Sequence, residues 1–400
     1  MLWRRYVFRR SNEVPNFWDE LFRSRKSRVL YIAGGGFDLR VTKVTERFLS
    51  SVKAMPDKPE TCDLLLVNIK GYELSDELKT QTQANQDGLR AMFADLGKVI
   101  EEDIGVVEDR EEDLSATNLL AKGTRSVVSH IDGYTDIVLD VSSLPRVVYL
   151  SLMIRVLGTL IPERDKDDAL YANGVNFQVL VGEDPMLDGQ ILSEDPSNEL
   201  VTIPGFSGAL KLDSAKEWPF VWFPVLGENR IGQLERVITH EVPTDAEVCP
   251  VLPHPSKNPR RADKLLLEYR DQLFDRMGAP TSNVMYAHEA HPFEAYRQLF
   301  NAMERYRKSF ELLGGCRLVV TPLSSKLMTL GVGLACFNMR PTSDGAKHLL
   351  AIPYAEPRRY RVESAQLHAS KPEIAVLLLT GLAYQKDFDA TREGASVQTR

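Results

Sequence analysis

Short runs of apolar residues recur along this chain, and longer segments with spaced apolar positions separate them. Eight runs read as strands: Val29–Ala33, Leu64–Ile69, Asp136–Val141, Asn176–Val181, Pro219–Val225, Glu247–Leu252, Arg317–Thr321 and Leu349–Pro353. Between them Ser75–Leu96, Arg146–Leu160, Asp263–Met277, Pro292–Leu312 and Leu327–Phe337 read as helices. Continuous apolar strands separated by helices imply parallel strands buried on both faces. The expected class is α/β, with two Rossmann-like, doubly wound parallel-sheet halves.

Residues 182–217 break this rhythm. They are rich in Gly, Pro, Asp and Ser, with "GEDPMLDG" and "SEDPSNE", and read as a linker or excursion between the halves. The expected organisation is an N-terminal arm over 1–28, a first half over 29–181, the excursion over 182–217, a second half over 218–356 and a C-terminal extension over 357–400. The extension holds one apolar stretch, Ile374–Ala383, read as a last strand or helix, and a frayed end from Thr391 to Arg400.

The halves resemble each other. "DIVLDVSSLPRVVYLSLMIRVLG" and "CRLVVTPLSSKLMTLGVGLACFN" each run from an apolar strand through a Ser-Ser turn and a basic residue into an apolar helix. Ser142, Ser143 and Arg146 thereby correspond to Ser324, Ser325 and Lys326. "VLYIAGGGFDLR" compares with "FVWFPVLGENRI" in the same way: strand, glycine turn, acid, base. This order suggests an internal duplication.

In an open parallel sheet a ligand sits beyond the carboxyl ends of the strands, at the point where the strand order reverses. The turns at Gly34, Gly35 and Gly36, at Ser142–Ser143 and at Ser324–Ser325 all fall there. Glycines turn the chain without a Cβ clash and leave backbone N–H groups near an anion. Asp38 and Arg40 follow the glycines, with a helix N-cap as the alternative role for Asp38. Arg146 and Lys326 stand where a helix begins, against the local dipole, and so imply a missing anion such as a phosphate. A solvated basic residue at a helix end is the competing explanation.

Composition narrows the choices. The 400 residues are 43% hydrophobic and 26% charged, with a net charge of −7, which argues against a generic nucleic-acid coat. Cys62, Cys249, Cys316 and Cys336 are widely spaced and read as reduced thiols without metal-ligand spacing. "YAHEAHPFEAYRQ" brings His288, Glu289, His291 and Glu294 together, but the second histidine comes one position too early for the zinc-protease pattern. Pro292 marks a helix start after the histidines. No metal and no cofactor is therefore expected. No apolar run is long enough to span a membrane, and a cytoplasmic location is the default expectation. Residues 1–28 are basic and interleaved with Trp3, Tyr6, Phe8, Phe17, Trp18 and Phe22. They are expected to pack on their own domain or on a protein partner, with nucleic acid less favoured.

"LVVTPLSSKLMTLGVGLACF" resembles the ligand turn of CRISPR-associated Rossmann-fold (CARF) domains, through Ser324, Ser325, Lys326 and Met328. That family's usual glycines are replaced here by Pro322 and Leu323. CARF domains bind cyclic oligoadenylates across a two-fold axis, and the related SAVED domains fuse two such halves in one chain. The resemblance implies a sensor of a nucleotide-like anion, a cyclic oligonucleotide for instance, in a prokaryotic antiviral defence-type system, acting with or on a partner. "AGGGFD" is also similar to the pyrophosphate loop of PP-loop ATP pyrophosphatases, but Gly34 and Leu39 stand where that loop has serines. Two further functions stay open: a nucleotide- or nucleobase-processing enzyme using the GGGFD loop, and a scaffold subunit docking through residues 1–28.

Overall fold

A computed structural model describes residues 1–23, 25–55, 58–107, 115–197, 199–212, 215–342 and 346–385. The apolar runs of the first half become the centre of a seven-stranded sheet. In chain order the elements are β1 (Val7–Arg10), α1 (Glu13–Arg23), β2 (Arg28–Gly34), α2 (Arg40–Ala54), β3 (Thr61–Lys70), α3 (Asp76–Phe93), β4 (Val99–Gly105), α4 (Ala116–Val128), β5 (Asp136–Asp140), α5 (Arg146–Leu160) and β6 (Asn176–Glu183). The excursion forms α6 (Pro185–Gln190), β7 (Leu192–Pro196), β8 (Val201–Ser207) and α7 (Gly208–Lys211).

The second half repeats the alternation: β9 (Phe220–Val225), α8 (Ile231–Glu241), β10 (Glu247–Val248), β11 (Val251–Pro253), α9 (Arg261–Glu268), β12 (Met285–Ala287), α10 (Pro292–Ser309), β13 (Cys316–Pro322), α11 (Lys326–Met339) and β14 (His348–Tyr354). The chain ends with β15 (Pro357–Arg361), α12 (Ser364–Ala369) and β16 (Glu373–Thr380). The frayed end expected from Thr391 lies outside the described residues.

The two sheets share one topology. The first runs β1-β16-β6-β5-β2-β3-β4 and the second β12-β11-β9-β13-β14-β8, with β10 beside β9. Their parallel cores, β6-β5-β2-β3-β4 and β14-β13-β9-β11-β12, have the same order, and each carries an antiparallel strand beyond its fifth strand. Both are doubly wound, with the reversal between β2 and β5 and between β9 and β13. The fold class is the expected one, and the repeated order is what a duplication requires.

The sheets recruit strands from outside the segments expected to form them. β1 and β16, from the two ends of the chain, extend the first sheet, and β8 of the excursion closes the second. The arm is held inside the structure. Trp3 Nε1 donates to the Leu379 carbonyl, Tyr6 stacks on Phe293 and Trp18 Nε1 donates to Gln178. Phe17, Trp18, Leu21 and Phe22 are buried.

α5 and α11 explain how the halves join. Each is apolar almost all the way round, as "RVVYLSLMIRVLGTL" and "KLMTLGVGLACFNM" show, so each must be covered on every side. Each meets its own half on one face and the other helix on the other. Their first residues, Arg146 and Lys326, therefore meet at the joint.

Candidate functional site

At each reversal point the two neighbouring turns touch. Ser143 Oγ donates to the Gly34 carbonyl at 2.8 Å, and Ser142 Oγ accepts from the Gly182 N–H at 2.8 Å. A Cβ on Gly34 would come within 2.6 Å of Leu144 Cδ2, and one on Gly227 within 2.5 Å of the Leu323 carbonyl oxygen. These glycines permit close packing of chain on chain. Gly36 differs: its Cβ would meet nothing nearer than the Ser143 carbonyl at 3.4 Å. The rest of the loop is pinned by α3, because Asn85 Nδ2 donates to the Gly36 carbonyl and Gln86 Nε2 to that of Gly35. The Gly35 N–H donates to the Val67 carbonyl, so it is already used.

Asp38 is not the N-cap of α2. That position belongs to Leu39, which makes no side-chain cap bond. Asp38 Oδ1 accepts from the Arg40 N–H at 3.0 Å, and its carboxylate takes Arg40 Nε and Nη2 at 2.9 and 2.6 Å. Arg40 Nη1 reaches across to Asp188 Oδ1 of α6 at 2.7 Å. Burial works against the Arg40 charge, but Asp188 and Asp38 outweigh it and hold its proton more firmly than usual.

The equivalent pair in the second half is split. Glu228 binds Arg261, which leaves Arg230 with the Ser193 hydroxyl of β7 and no carboxylate among the described residues. Arg146 Nη1 donates to Tyr354 Oη at 2.8 Å and Nη2 to the Ser324 carbonyl at 2.6 Å, while Nε has no partner. Ser324 is buried, with its hydroxyl on Met328 Sδ. Ser325 caps α11, accepting from the Met328 N–H at 3.4 Å.

Lys326 stands apart. It makes no hydrogen bond or ion pair with any described residue. Burial first, and then the neighbouring Arg40, push its ammonium down to about 8; Asp188 and Asp38 oppose this. Four cations, Arg40, Arg146, Arg230 and Lys326, thus surround the joint, two from each half. Of these four, only Arg40 has carboxylate partners within bonding distance among the described residues.

Glu356 is the other buried acid here. Its Oε1 accepts from Tyr72 and Tyr360, its Oε2 has no hydrogen-bond partner among the described residues, and burial pushes its carboxyl up to about 7. Beside the cations lies the antiparallel ribbon of β7 and β15, whose Ser193 hydroxyl accepts from Arg230. Tyr360 packs against Phe37 and Tyr72, and Arg359 pairs with Glu73 at 2.6 Å.

Of the sequence-predicted residues, Arg146, Lys326, Arg40 and Asp38 do converge. Gly34, Gly35, Ser142, Ser143, Ser324 and Ser325 are engaged in packing or capping. The pattern of the chain did not single out Asp188, Arg230, Tyr354, Glu356 or Tyr360. Arg230 had a signal, as the counterpart of Arg40 in the repeated turn. The others lie in or beside stretches that read as linker or extension.

The histidine pair lies elsewhere: His291 Nδ1 accepts from the Glu294 N–H as the N-cap of α10. Among the described residues no group of three metal-ligating side chains gathers. A cavity of about 590 Å³ lies at the far ends of α5 and α11, lined by Ile161, Arg164, Phe337 and Arg340, away from the turns.

Compared with known proteins, the chain matches no family and no curated relative. Among solved structures it is similar to a chain described as a universal stress protein of Pseudomonas aeruginosa UCBPP-PA14. The identity is 10%, with 83% of this chain and 94% of that chain covered, and the TM-score is 0.22. A likeness of that size carries no argument about function. No helix among the described residues is long and apolar enough to cross a membrane.

Proposed function

We propose that this chain is a binding module that senses a nucleotide-like anion where its two halves meet. It would serve in a defence-type system of the kind the CARF and SAVED resemblance implies, acting with or on a partner. The observation that carries this is Lys326. An ammonium partly withdrawn from water, with no bonded partner among the described residues and with Arg40 and Arg146 as neighbours, is unfavourable unless an anion completes it. Arg230 and Arg146 supply further donors without carboxylate partners among the described residues. A phosphate offers each the charge-assisted bonds it lacks.

An enzyme using the GGGFD loop has less support. Asp38, its natural acid or base, is bound at both oxygens by Arg40. A scaffold docking through residues 1–28 has less support as well, since Trp3, Phe17, Trp18 and Phe22 of the arm are buried in the chain's own structure and Tyr6 and Phe8 are half-buried.

The test is a thermal-shift screen of nucleoside phosphates and cyclic oligonucleotides. A ligand of the folded state present at 100 times its Kd stabilises by about 2.7 kcal/mol. Lys326→Ala is expected to weaken its binding by roughly 1.5–3 kcal/mol, the worth of a charged hydrogen bond. No shift at saturating concentrations with any of them overturns the proposal.

A further inference from the structure

The excursion delivers one carboxylate into the cation cluster. Asp188, on the short helix α6, bonds Arg40 at 2.7 Å. The cations acting on it, in order, are Arg40, Lys326 and Arg230, so both halves contribute. Arg40 does not depend on it, because Asp38 already binds that guanidinium through both oxygens. The Asp188 side chain keeps 39% of its exposure, so a dissolved anion can reach the same place.

α6 leads directly into β7, and β7 pairs with β15 to form the ribbon beside the cluster. The ribbon's other ties are Tyr360 against Phe37 and Tyr72, Ser193 with Arg230, Arg359 with Glu73 and the Glu73 N–H to the Arg358 carbonyl, while Leu187 of α6 is buried in a small apolar cluster with Leu78 and Leu367. The ribbon is a separate two-stranded sheet, paired with neither large sheet along its length apart from one bridge between Glu73 and Arg359. A two-stranded ribbon of this size is marginal without such anchors.

We propose that Asp188 is an internal counter-anion, which holds the β7–β15 ribbon closed against the cation cluster and which any ligand must displace. Asp188 thereby sets the ligand's charge: a weak monoanion competes poorly with a tethered carboxylate, and a polyphosphate competes well. The proposal rests on the anion-sensing function only for the identity of what displaces Asp188. Closure of the ribbon by Asp188 is a property of the free chain.

The experiment is hydrogen exchange on the full chain, comparing ribbon amides (192–195 and 358–361) with those of β2 and β13. In Asp188→Asn, which keeps the shape and removes the charge, ribbon amides are expected to exchange about tenfold faster, with β2 and β13 unchanged. Asp188→Glu, which keeps the charge, is expected to stay near wild type. Unchanged ribbon exchange in Asp188→Asn overturns the proposal, and so does equal acceleration in both variants, which would make the contact steric. Pyrophosphate is the probe for the second arm. It should speed the same amides in the wild type and bind Asp188→Asn about tenfold more tightly, a 1.4 kcal/mol gain. If the ribbon loosens in Asp188→Asn while pyrophosphate binds neither protein, Asp188 still holds the ribbon and the phosphate ligand is what fails.

Discussion

Arg146, in the first half, donates to the main-chain oxygen of Ser324, in the second, at 2.6 Å. The two residues lie in corresponding turns of the repeat. The guanidinium that opens α5 therefore ties its own turn to the turn opening α11. Lys326, the residue equivalent to Arg146, makes no such tie. One duplicated position has become a structural bridge and the other a charge with no bonded partner among the described residues.

That difference predicts opposite stability effects. Arg146→Ala removes two partly buried charged hydrogen bonds, to Tyr354 and Ser324, and leaves the Ser324 carbonyl with only the long 3.5 Å bond from the Thr329 hydroxyl, so a loss of roughly 2–4 kcal/mol is expected. Lys326→Ala removes a desolvated charge and should leave stability equal or higher at neutral pH. Urea unfolding of both variants checks this. A stable Arg146→Ala would show that the halves are held by α5 and α11 packing alone.

The glycines of the opening loop should also separate. Gly34→Ala forces a Cβ onto Leu144 and Ser143 and is expected to cost about 1–3 kcal/mol, as overpacking does. Gly36 has room, and its φ lies outside the left-handed region, so Gly36→Ala should be neutral or stabilise by about 0.4–1 kcal/mol. A loss of ligand binding in Gly36→Ala without a loss of stability would put the anion at that backbone. Denaturation curves beside binding curves distinguish the two.

Asp140 gives a pH signature. It ends β5, fully buried, and burial pushes its carboxyl up to about 6, against the bonds from Ser142 and Tyr31. Below about pH 4 it is protonated folded or unfolded. Between there and 6 the folded state keeps a proton that the unfolded chain has lost, so this contribution to stability disappears as pH rises through 6. Asp140→Asn removes the cost. Its stability relative to wild type should climb by up to about 3 kcal/mol from pH 4 to pH 7 and then level off. Lys326 has the opposite sense. Its folded value of about 8 lies below the ordinary 10.5, so its charge burdens the folded state below pH 8 and the burden fades above it. The advantage of Lys326→Ala should therefore narrow by pH 10. Unfolding midpoints in urea across this range measure both, and flat differences would contradict the burial of these groups.

The central parallel strands were legible in the sequence because burial on both faces leaves continuous apolar runs. Only Glu247–Leu252 was broken, at Pro250, which cannot donate to a neighbour. α5 and α11 were legible for the same reason, down to Arg146 as the first residue of α5. The edge strand β4, "VIEEDIG", was not, because one side of it faces no strand and its acidic residues suit an exposed edge. Short strands such as β7, β12 and β15 carry too few residues for a period to show. The cation cluster was half legible. Arg40, Arg146 and Lys326 follow recognisable turns, whereas Asp188 and Glu356 lie in polar stretches where nothing marks one acid from the next.

The sequence by itself determined two doubly wound α/β halves and the places where their turns end, since local apolar periodicity and glycine turns act within a few residues. Only the tertiary structure decided which charges meet. Asp188 reaches Arg40 from 148 positions away, and Arg146 reaches Ser324 from 178. Whether a basic residue is paired, bridging or unpartnered depends on which carboxylates the packing of two sheets brings within about 3–4 Å, a distance that the order of residues along the chain does not encode.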